Sequence, residues 1–361
     1  MKSVRFAAVS ALSSILLVSA CSDSDSQSTS GEATSTAAAD DAAATSDGSA
    51  ATQQPGDEAA ATAQDQGVAV MSVEDAEAIA SDLLTKAEAV RKGDGEMIKE
   101  ELDDAYRGPA REAAAAADTL ESVNGNPDSR DLIADPIVPN VLAISRDDGE
   151  KPDILLVQTV PDVGAPVLHL MTGPSGTDSF RIAWSAEMLP GTDVGAFDRR
   201  SQGSPVKRDD TEMGDLVQAP QDVLQDLASY IDYPVEANAQ MRTNDYAPQV
   251  RQAAVAQSEE VAPQADFTET NSVSEENIRT LLREDGSAIT FAVLDRESVF
   301  DIESGMELTP PEPFVAFAGD DSLTESASLD TDVFIAVVIP TGSGAPEVIA
   351  AREQIVGASG S

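Results

Sequence analysis

The stretch of sequence that decides the fold is residues 153–161, DILLVQTVP, which has a counterpart in residues 332–340, DVFIAVVIP. Each is a short apolar run rich in Val, Ile and Leu, as is typical of a buried β-strand. The likeness continues shortly after each run, at Gly164-Ala165-Pro166 and Gly344-Ala345-Pro346. The two runs therefore predict two corresponding strands, each leading into a turn.

Further short apolar runs flank these two and predict more strands. Turn signals such as Asp148-Gly149 and Gly173-Pro174 separate neighbouring runs and indicate antiparallel pairing. Residues 278–283 would also suit a short helix, but Asp285-Gly286 directly before the next run favours a hairpin. The predicted strands are 141–145, 154–160, 167–171 and 180–188 in the first half, and 278–283, 288–295, 314–318, 331–339 and 347–354 in the second.

Helical patterns precede the strands in both halves. Ser72 can cap a helix whose apolar residues recur at spacings of three and four up to Val90. In the second half Pro220 and Asp222 open a helix, and its predicted buried stripe is Val223, Leu227 and Tyr230 or Ile231. Two more helices are predicted near residues 95–104 and 108–118.

The helices also carry a repeated motif. Residues 104–114, DAYRGPAREAA, resemble residues 244–254, NDYAPQVRQAA, with Tyr and Arg at the same spacing. Because the helix match and the strand match occur in the same order, we predict a tandem duplication. The predicted fold class is α+β, with two tandem helix-then-antiparallel-sheet domains at 71–200 and 218–357, joined by a linker at 201–217. Each half is similar to a nuclear-transport-factor-like cone, and the alternative is a single continuous sheet built from both halves.

The N-terminus is typical of an exported protein. Lys2 and Arg5 precede a short apolar run, which matches a signal peptide over residues 1–20 and is too short to span a membrane. Val18-Ser19-Ala20-Cys21 resembles a bacterial lipobox, which implies fatty acyl chains such as palmitate on Cys21. An ordinary signal peptide with a chance cysteine is the alternative. The expected location is the extracytoplasmic face of the cell membrane, with the chain held there by lipid.

The segment that follows, residues 21–70, has no aromatic residue and no Lys or Arg. Such a composition buries too little apolar surface to offset the entropy of ordering, so we predict a disordered acidic tether. An alanine-rich helix over residues 37–63 is the competing interpretation, but Gly48 and Pro55 interrupt it.

The whole chain is strongly acidic, with 65 Asp and Glu against 22 Lys and Arg and a formal net charge of −43. Nucleic acids and anionic lipid headgroups bind basic faces, so the charge excludes nucleic acid as a partner. Clusters such as Asp147-Asp148 and Asp320-Asp321 lack the ligand spacing of a calcium loop. We interpret the charge as a solvated acidic surface.

Several short motifs stand out from about residue 136 onward: Ala183-Trp184, Leu189-Pro190-Gly191, Gly203-Ser204-Pro205, Pro220-x-Asp222 and the strand from Val333 to Ile339. In these motifs, some three-fifths of the chain resembles a family of uncharacterised actinobacterial lipoproteins with an extracytoplasmic domain of unknown function. The resemblance implies a lipoprotein location and a two-part layout, and it brings no activity or catalytic residue.

The residues that could carry chemistry are few. The chain has one histidine, His169, and one cysteine, Cys21, which cannot supply a disulfide or a zinc site. Hydrolytic catalysis by a nucleophile and a histidine base is therefore not expected, and neither is a cofactor. A weak candidate ligand pocket combines Tyr106, His169 and Trp184 in the mouth of the first cone, although each is better explained as a packing residue.

Two functions follow from these patterns. The first is a non-enzymatic binding or structural module of the cell envelope that contacts an envelope protein, a wall component or a small apolar ligand. The second is a hydrolase or isomerase that uses an Asp or Glu carboxylate in a cone-shaped pocket. The absence of a usable His, Cys or metal cluster favours the first, and the oligomeric state is left open.

Overall fold

A computed structural model describes residues 69–92, 99–124, 137–146, 151–161, 164–175, 179–197, 205–235, 241 and 243–361. The predicted signal peptide, Cys21 and nearly all of the predicted tether lie outside the described residues. Within the described part, no helix is both long enough and apolar enough to cross a membrane. The described residues belong to one compact unit.

The first helix shows how local sequence sets the elements. The Ser72 side chain accepts a hydrogen bond from the Asp75 amide, as a capping residue does, and the predicted stripe is buried except for Val73. Pro220 stands in the first turn of the fourth helix, as predicted. The α-helices in the described residues are α1 Val73–Arg91, α2 Lys99–Ala105, α3 Pro109–Asn124, α4 Pro220–Ile231, α5 Tyr246–Val261 and α6 Glu312–Ala318.

The strands form one antiparallel sheet, which confirms the predicted α+β class. Their order is β1-β2-β3-β4-β10-β9-β8-β7-β5, and β6 pairs with β8 beside this path. The described strands are β1 Asn140–Ile144, β2 Asp153–Thr159, β3 Val167–Gly173, β4 Arg181–Met188, β5 Lys207–Arg208, β6 Ala265–Val273, β7 Arg279–Leu282, β8 Ala288–Ile302, β9 Ser326–Ile339 and β10 Glu347–Gly360.

The two halves of the chain share this sheet. Strand β4 of the first half pairs with β10 of the second through only two residue pairs, Met188 with Ala350 and Glu187 with Ala351. The alternative of a continuous sheet therefore describes the strand arrangement better than two separate sheets. The halves are joined at their last strands, so the order of strands is nearly symmetric about the β4–β10 junction.

The sheet curls until its two ends meet. The Arg146 amide after β1 donates to the Pro205 carbonyl before β5, and Lys207 on β5 contacts the Asp153 carboxylate on β2 at 3.3 Å. Both of these side chains are 2 % exposed. Because β2 and β5 lie near opposite ends of the strand order, these contacts close the curl.

The inward face of the curled sheet is filled by apolar side chains from both halves. The members include Leu156, Leu170, Trp184, Phe291 and Phe334, all buried. The outward face is covered by helices, with α1 over the first half and α4 and α5 over the second. The core of the described residues thus has a single inner cluster flanked by two large outer ones, and two smaller clusters lie around Phe314 and around Phe267.

Two elements of the second half differ from the sequence-based predictions. Residues 314–318 are part of helix α6 and not a strand, because Pro311 and Pro313 favour a helix start and Gly319, at φ 81°, ends it in the left-handed region. Strand β6 was missed, although its buried and exposed residues alternate along its length. The hairpin interpretation of 278–283 is confirmed by β7.

Candidate functional site

His169, the only histidine, is fully buried on β3. Its Nε2 lies 3.0 Å from Thr159 Oγ1, and its Nδ1 lies 2.9 Å from Ser185 Oγ. Both ring nitrogens are therefore engaged by hydroxyls that can donate or accept. Burial, with a smaller contribution from the charge of Arg352, lowers the pKa of His169 to about 3. The imidazole is neutral at physiological pH and has no access to a substrate.

Trp184 faces the other way. Leu170 opposes Trp184 across β3 and β4, whereas the preceding residue, His169, opposes Ser185. Because successive side chains of a strand point to opposite faces, Trp184 and His169 lie on opposite sides of the sheet. The Trp184 indole fills the inner cluster, where it meets the Phe291 ring edge-on at 5.1 Å and donates to the Ala292 carbonyl at 3.0 Å.

Tyr106 stands between the inner cluster and the cluster beneath α1, with its backbone bridged to Ile182 of β4. It is partly buried, and it packs between helix and sheet as the packing interpretation requires. Tyr106, His169 and Trp184 are thus not brought together in one pocket. The reason is the two-residue period of the strand, which places His169 and Trp184 on opposite faces.

A buried group of charges lies beneath α5, and we call it the Arg296 cluster. The Arg296 guanidinium contacts Glu353 at 3.0 Å and Glu269 at 3.6 Å, and its Nε donates to Asn271 Oδ1 at 3.1 Å. Burial raises the pKa of Glu269. Burial alone would lower the pKa of the Arg296 guanidinium. The negative charges of Glu353 and Glu269 have the larger effect, so the pKa is raised above its ordinary value. The guanidinium thus has two carboxylate partners and one amide partner, although its Nη2 has no partner among the described residues, and this pairing suits a structural role.

A second group, the acid pair, lies on the inward face of the sheet. Asp295 on β8 and Asp332 on β9 stand directly opposite each other. Asp332 is 7 % exposed, and its Oδ2 has no hydrogen-bond partner among the described residues. Asp295 is exposed to solvent. Like charges directly opposite in a sheet repel each other, so the pair is not explained by stability.

The acid pair has perturbed protonation. Burial first, and then the charges of Asp295 and Glu112, raise the pKa of Asp332 to about 7, while Arg352 opposes the shift. Burial and the charge of Glu112 also raise the pKa of Asp295. Asp332 can therefore gain or lose a proton near neutral pH. Sequence reasoning did not find the pair, because its partners are 37 residues apart and many carboxylates are available as alternatives.

Neither group is arranged as a metal centre. Among the described residues, no set of three or more His, Cys, Asp or Glu side chains is placed to hold a metal ion. Within the acid pair, Asp332 is the group with a pKa near neutral pH. The strand order and the acid pair define the chain as an α+β protein with one curled antiparallel sheet and a proton-labile carboxyl on its inward face.

No model of a known protein family, no curated protein and no solved structure matches this chain.

Proposed function

We propose that this chain is a lipid-anchored extracytoplasmic lipoprotein that acts as a non-enzymatic binding or structural module of the cell envelope. The observation that carries the non-enzymatic part is the inner cluster, since side chains fill the space where a cone-shaped fold would hold a substrate. The only histidine is buried and neutral, which removes the usual base for a nucleophile. The proposed location at the membrane rests on the signal peptide and the lipobox of the sequence.

The anchor is tested by replacing the lipidated residue. In Cys21→Ser, we expect the protein to appear in the culture medium with its fold unchanged, because the short apolar run of the signal peptide cannot by itself hold the protein in a membrane. Ser28→Ala, in the predicted tether, is the matched control and should remain with the membrane fraction. Mass spectrometry of the N-terminal peptide should detect acyl chains only when Cys21 is present. A Cys21→Ser protein that still fractionates with membranes would refute the anchor.

The proposed partner is another envelope protein or a wall component. Nucleic acid is excluded by the net charge of −43. Crosslinking on intact cells, followed by identification of the captured species, tests the partner. The Cys21→Ser protein is the control, because a genuine envelope contact should weaken when the chain is no longer held at the membrane.

We also propose membership of the lipoprotein family named above and a tandem origin of the two halves. The near-symmetric order of strands about β4 and β10 supports a duplication. The sequence match between residues 153–161 and 332–340 does not agree with the positions of these strands in the sheet. The matching stretches 153–161 and 332–340 correspond to β2 and β9, which stand at different distances from the junction. A duplication therefore requires a shift of one strand between the sequence match and the positions in the sheet.

A carboxylate enzyme, either a hydrolase or an isomerase, is the second candidate, and Asp332 is the observation in its favour. A buried carboxyl with a pKa of about 7 that lies directly opposite a second carboxyl is suited to general acid–base catalysis. Chromogenic glycosides and esters test this function. Turnover by the wild type that is lost in Asp332→Asn, but kept in Asp301→Asn, would establish the carboxylate enzyme. If the wild type turns over none of these substrates, the binding module is the function that is supported.

A further inference from the structure

Strands β6, β8, β9 and β10 form an extension of the sheet beyond the inner cluster. One side of this extension is covered. Phe267, Phe300 and Leu329 lie on the covered side, where they pack with Ala254 of α5 and Phe314 of α6. Because successive side chains of a strand point to opposite faces, the residues between these three belong to the other side.

The uncovered side, which we call the acidic face, consists of residues that stand opposite one another in four rows. The rows follow from the register of β6 with β8, of β8 with β9 and of β9 with β10. Three rows hold two carboxylates directly opposite each other, and none of the paired residues in the rows is a Lys or Arg. The rows are Ser272, Asp295, Asp332 and Gln354; Thr270, Glu297, Asp330 and Gly357; Thr268, Val299, Ser328 and Ser359; and Asp266, Asp301 and Ser326.

The carboxylates of the acidic face are open to solvent and repel one another. Of the six, all but Asp332 are exposed. Ser328 donates to Glu297 at 3.4 Å, which leaves the charge in place, and Gly357 has no side chain to cover Asp330 beside it. Like charges directly opposite in a sheet are destabilising, so three such pairs on one face are not explained by the stability of the fold.

Asp332 indicates a ligand independently of the number of acids. It belongs to the first row and is 7 % exposed, and its Oδ2 has no hydrogen-bond partner among the described residues. Buried polar atoms are normally hydrogen-bonded, so this oxygen is an acceptor that an incoming donor would complete. Arg352 lies beside the row on β10, where it donates to Gln354 at 3.0 Å and stacks over the Phe334 ring at 5.7 Å.

We propose that the acidic face binds a short segment of another protein that is rich in Lys and Arg. This inference rests on the proposed function as a binding module, and it specifies the chemistry of the partner. Ammonium and guanidinium groups form charge-assisted hydrogen bonds with carboxylates. Complementary charge also favours such a partner over others, because an acidic or neutral segment would leave the carboxylates unpaired.

Other occupants of the acidic face fit less well. Among the described residues, no set of three or more His, Cys, Asp or Glu side chains is placed to hold a metal ion. A second copy of the chain would bring the same net charge of −43, and residues 22–70 contain no Lys or Arg.

The size of the face favours a short segment over a folded partner. Four strands about 4.8 Å apart and four rows about 7 Å apart enclose about 300 Å². A stable interface between folded proteins buries about 800 Å² on each partner. The acidic face is therefore large enough for one extended segment of several residues.

A synthetic peptide of four Thr-Lys repeats with blocked ends is the probe. In an extended peptide its lysines lie on one side about 7 Å apart, which matches the spacing of the rows. A carbodiimide couples a lysine amine directly to a carboxylate that it contacts. With the intact chain, we expect mass spectrometry to locate the coupled carboxylates at Asp266, Glu297, Asp301 and Asp330.

A variant of the acidic face tests the affinity. Glu297→Gln/Asp301→Asn/Asp330→Asn should bind the probe about tenfold more weakly at about 0.1 M salt, because each exposed ion pair contributes roughly a factor of two. Thermal unfolding shows whether the variant folds, and its midpoint should lie above that of the wild type because repulsion between opposed carboxylates is removed.

The matched control changes the net charge by the same amount at another place. Glu77→Gln/Glu101→Gln/Glu259→Gln removes three exposed carboxylates from α1, α2 and α5. Its affinity for the probe should stay within about twofold of the wild type, because salt screens charges more than about 10 Å away. The proposal is overturned if the two triple variants bind the probe equally, or if the coupled carboxylates lie mainly outside residues 266–272, 295–301 and 326–332.

Crosslinking on intact cells separates this inference from the proposed function. Capture of a Lys- and Arg-rich protein by the wild type and the control variant, but not by the variant of the acidic face, would support both. A partner captured equally by all three, or a wall component captured in place of a protein, would overturn the acidic face and leave the binding module. Failure of the wild type to capture any partner would contradict the proposed function itself, even where the probe binds.

Discussion

The single histidine gives a sharp prediction for acid stability. His169 has a pKa of about 3 in the folded protein against 6.5 for an ordinary imidazole. Below pH 6.5 the imidazole is protonated in the unfolded chain, whereas in the folded chain it stays neutral down to about pH 3. The stability contributed by His169 is thus full above pH 6.5 and is lost as the pH falls toward 3. The complete difference is about 5 kcal/mol, of which about 2 kcal/mol is lost between pH 8 and pH 5.

Urea unfolding of wild type and His169→Gln measures this effect. Glutamine keeps one donor and one acceptor for Thr159 and Ser185 but does not titrate, so the difference in unfolding free energy between the two proteins isolates the histidine. Trp184 is the only tryptophan, and its burial makes its fluorescence a reporter of unfolding. In a protein without a histidine tag, the single imidazole also gives its pKa directly by NMR. A difference that stays constant from pH 8 to pH 5, or an imidazole that titrates near 6.5 in the folded state, would refute the reasoning.

Two further substitutions test the charged groups of the sheet. Asp332→Asn should stabilise the protein by about 3 kcal/mol at pH 8 and leave its stability unchanged near pH 4. The reason is that the raised pKa of Asp332 makes the wild type lose stability as the pH rises from 3.8 to about 7. Thermal unfolding at the two pH values measures the difference. Arg296→Met should lower the free energy of unfolding by about 3–5 kcal/mol, since Glu269 and Glu353 would lose their shared cation. The control Arg251→Met removes a stacking contact over Tyr230 and should lower it by about 1 kcal/mol or less. The same urea assay measures both.

Much of the fold could be predicted from local sequence. The alternation of apolar runs and turns located β1 to β4 and β8 to β10, and helix starts were readable from Ser72 and Pro220. Local patterns misread residues 314–318, where an apolar run of five residues fits a strand and a short helix equally. They also could not tell two sheets from one, because the junction of the halves depends on only two residue pairs between strands far apart in sequence.

The candidate site was less predictable. His169 and Trp184 were singled out because their residue types are rare in this chain, and the packing interpretation describes both correctly. Their opposite orientation followed from the register of β3 and β4, which single strands do not reveal. The acid pair was hidden by abundance, since 65 acids leave no way to choose one pair before the pairing of β8 and β9 is known.

Three of the buried polar groups of the sheet, His169, Arg296 and Asp332, differ in how their burial is compensated, and this difference points to the acid pair. His169 avoids the cost of burial by staying neutral between two hydroxyls, and Arg296 is compensated by two carboxylates and an amide. Asp332 is less well compensated, because its Oδ2 has no hydrogen-bond partner among the described residues and the residue directly opposite it is another aspartate. An asparagine of the same shape would remove the repulsion. A residue whose simple replacement is expected to stabilise the protein is more readily explained by a role than by the fold, since stability alone would not retain it.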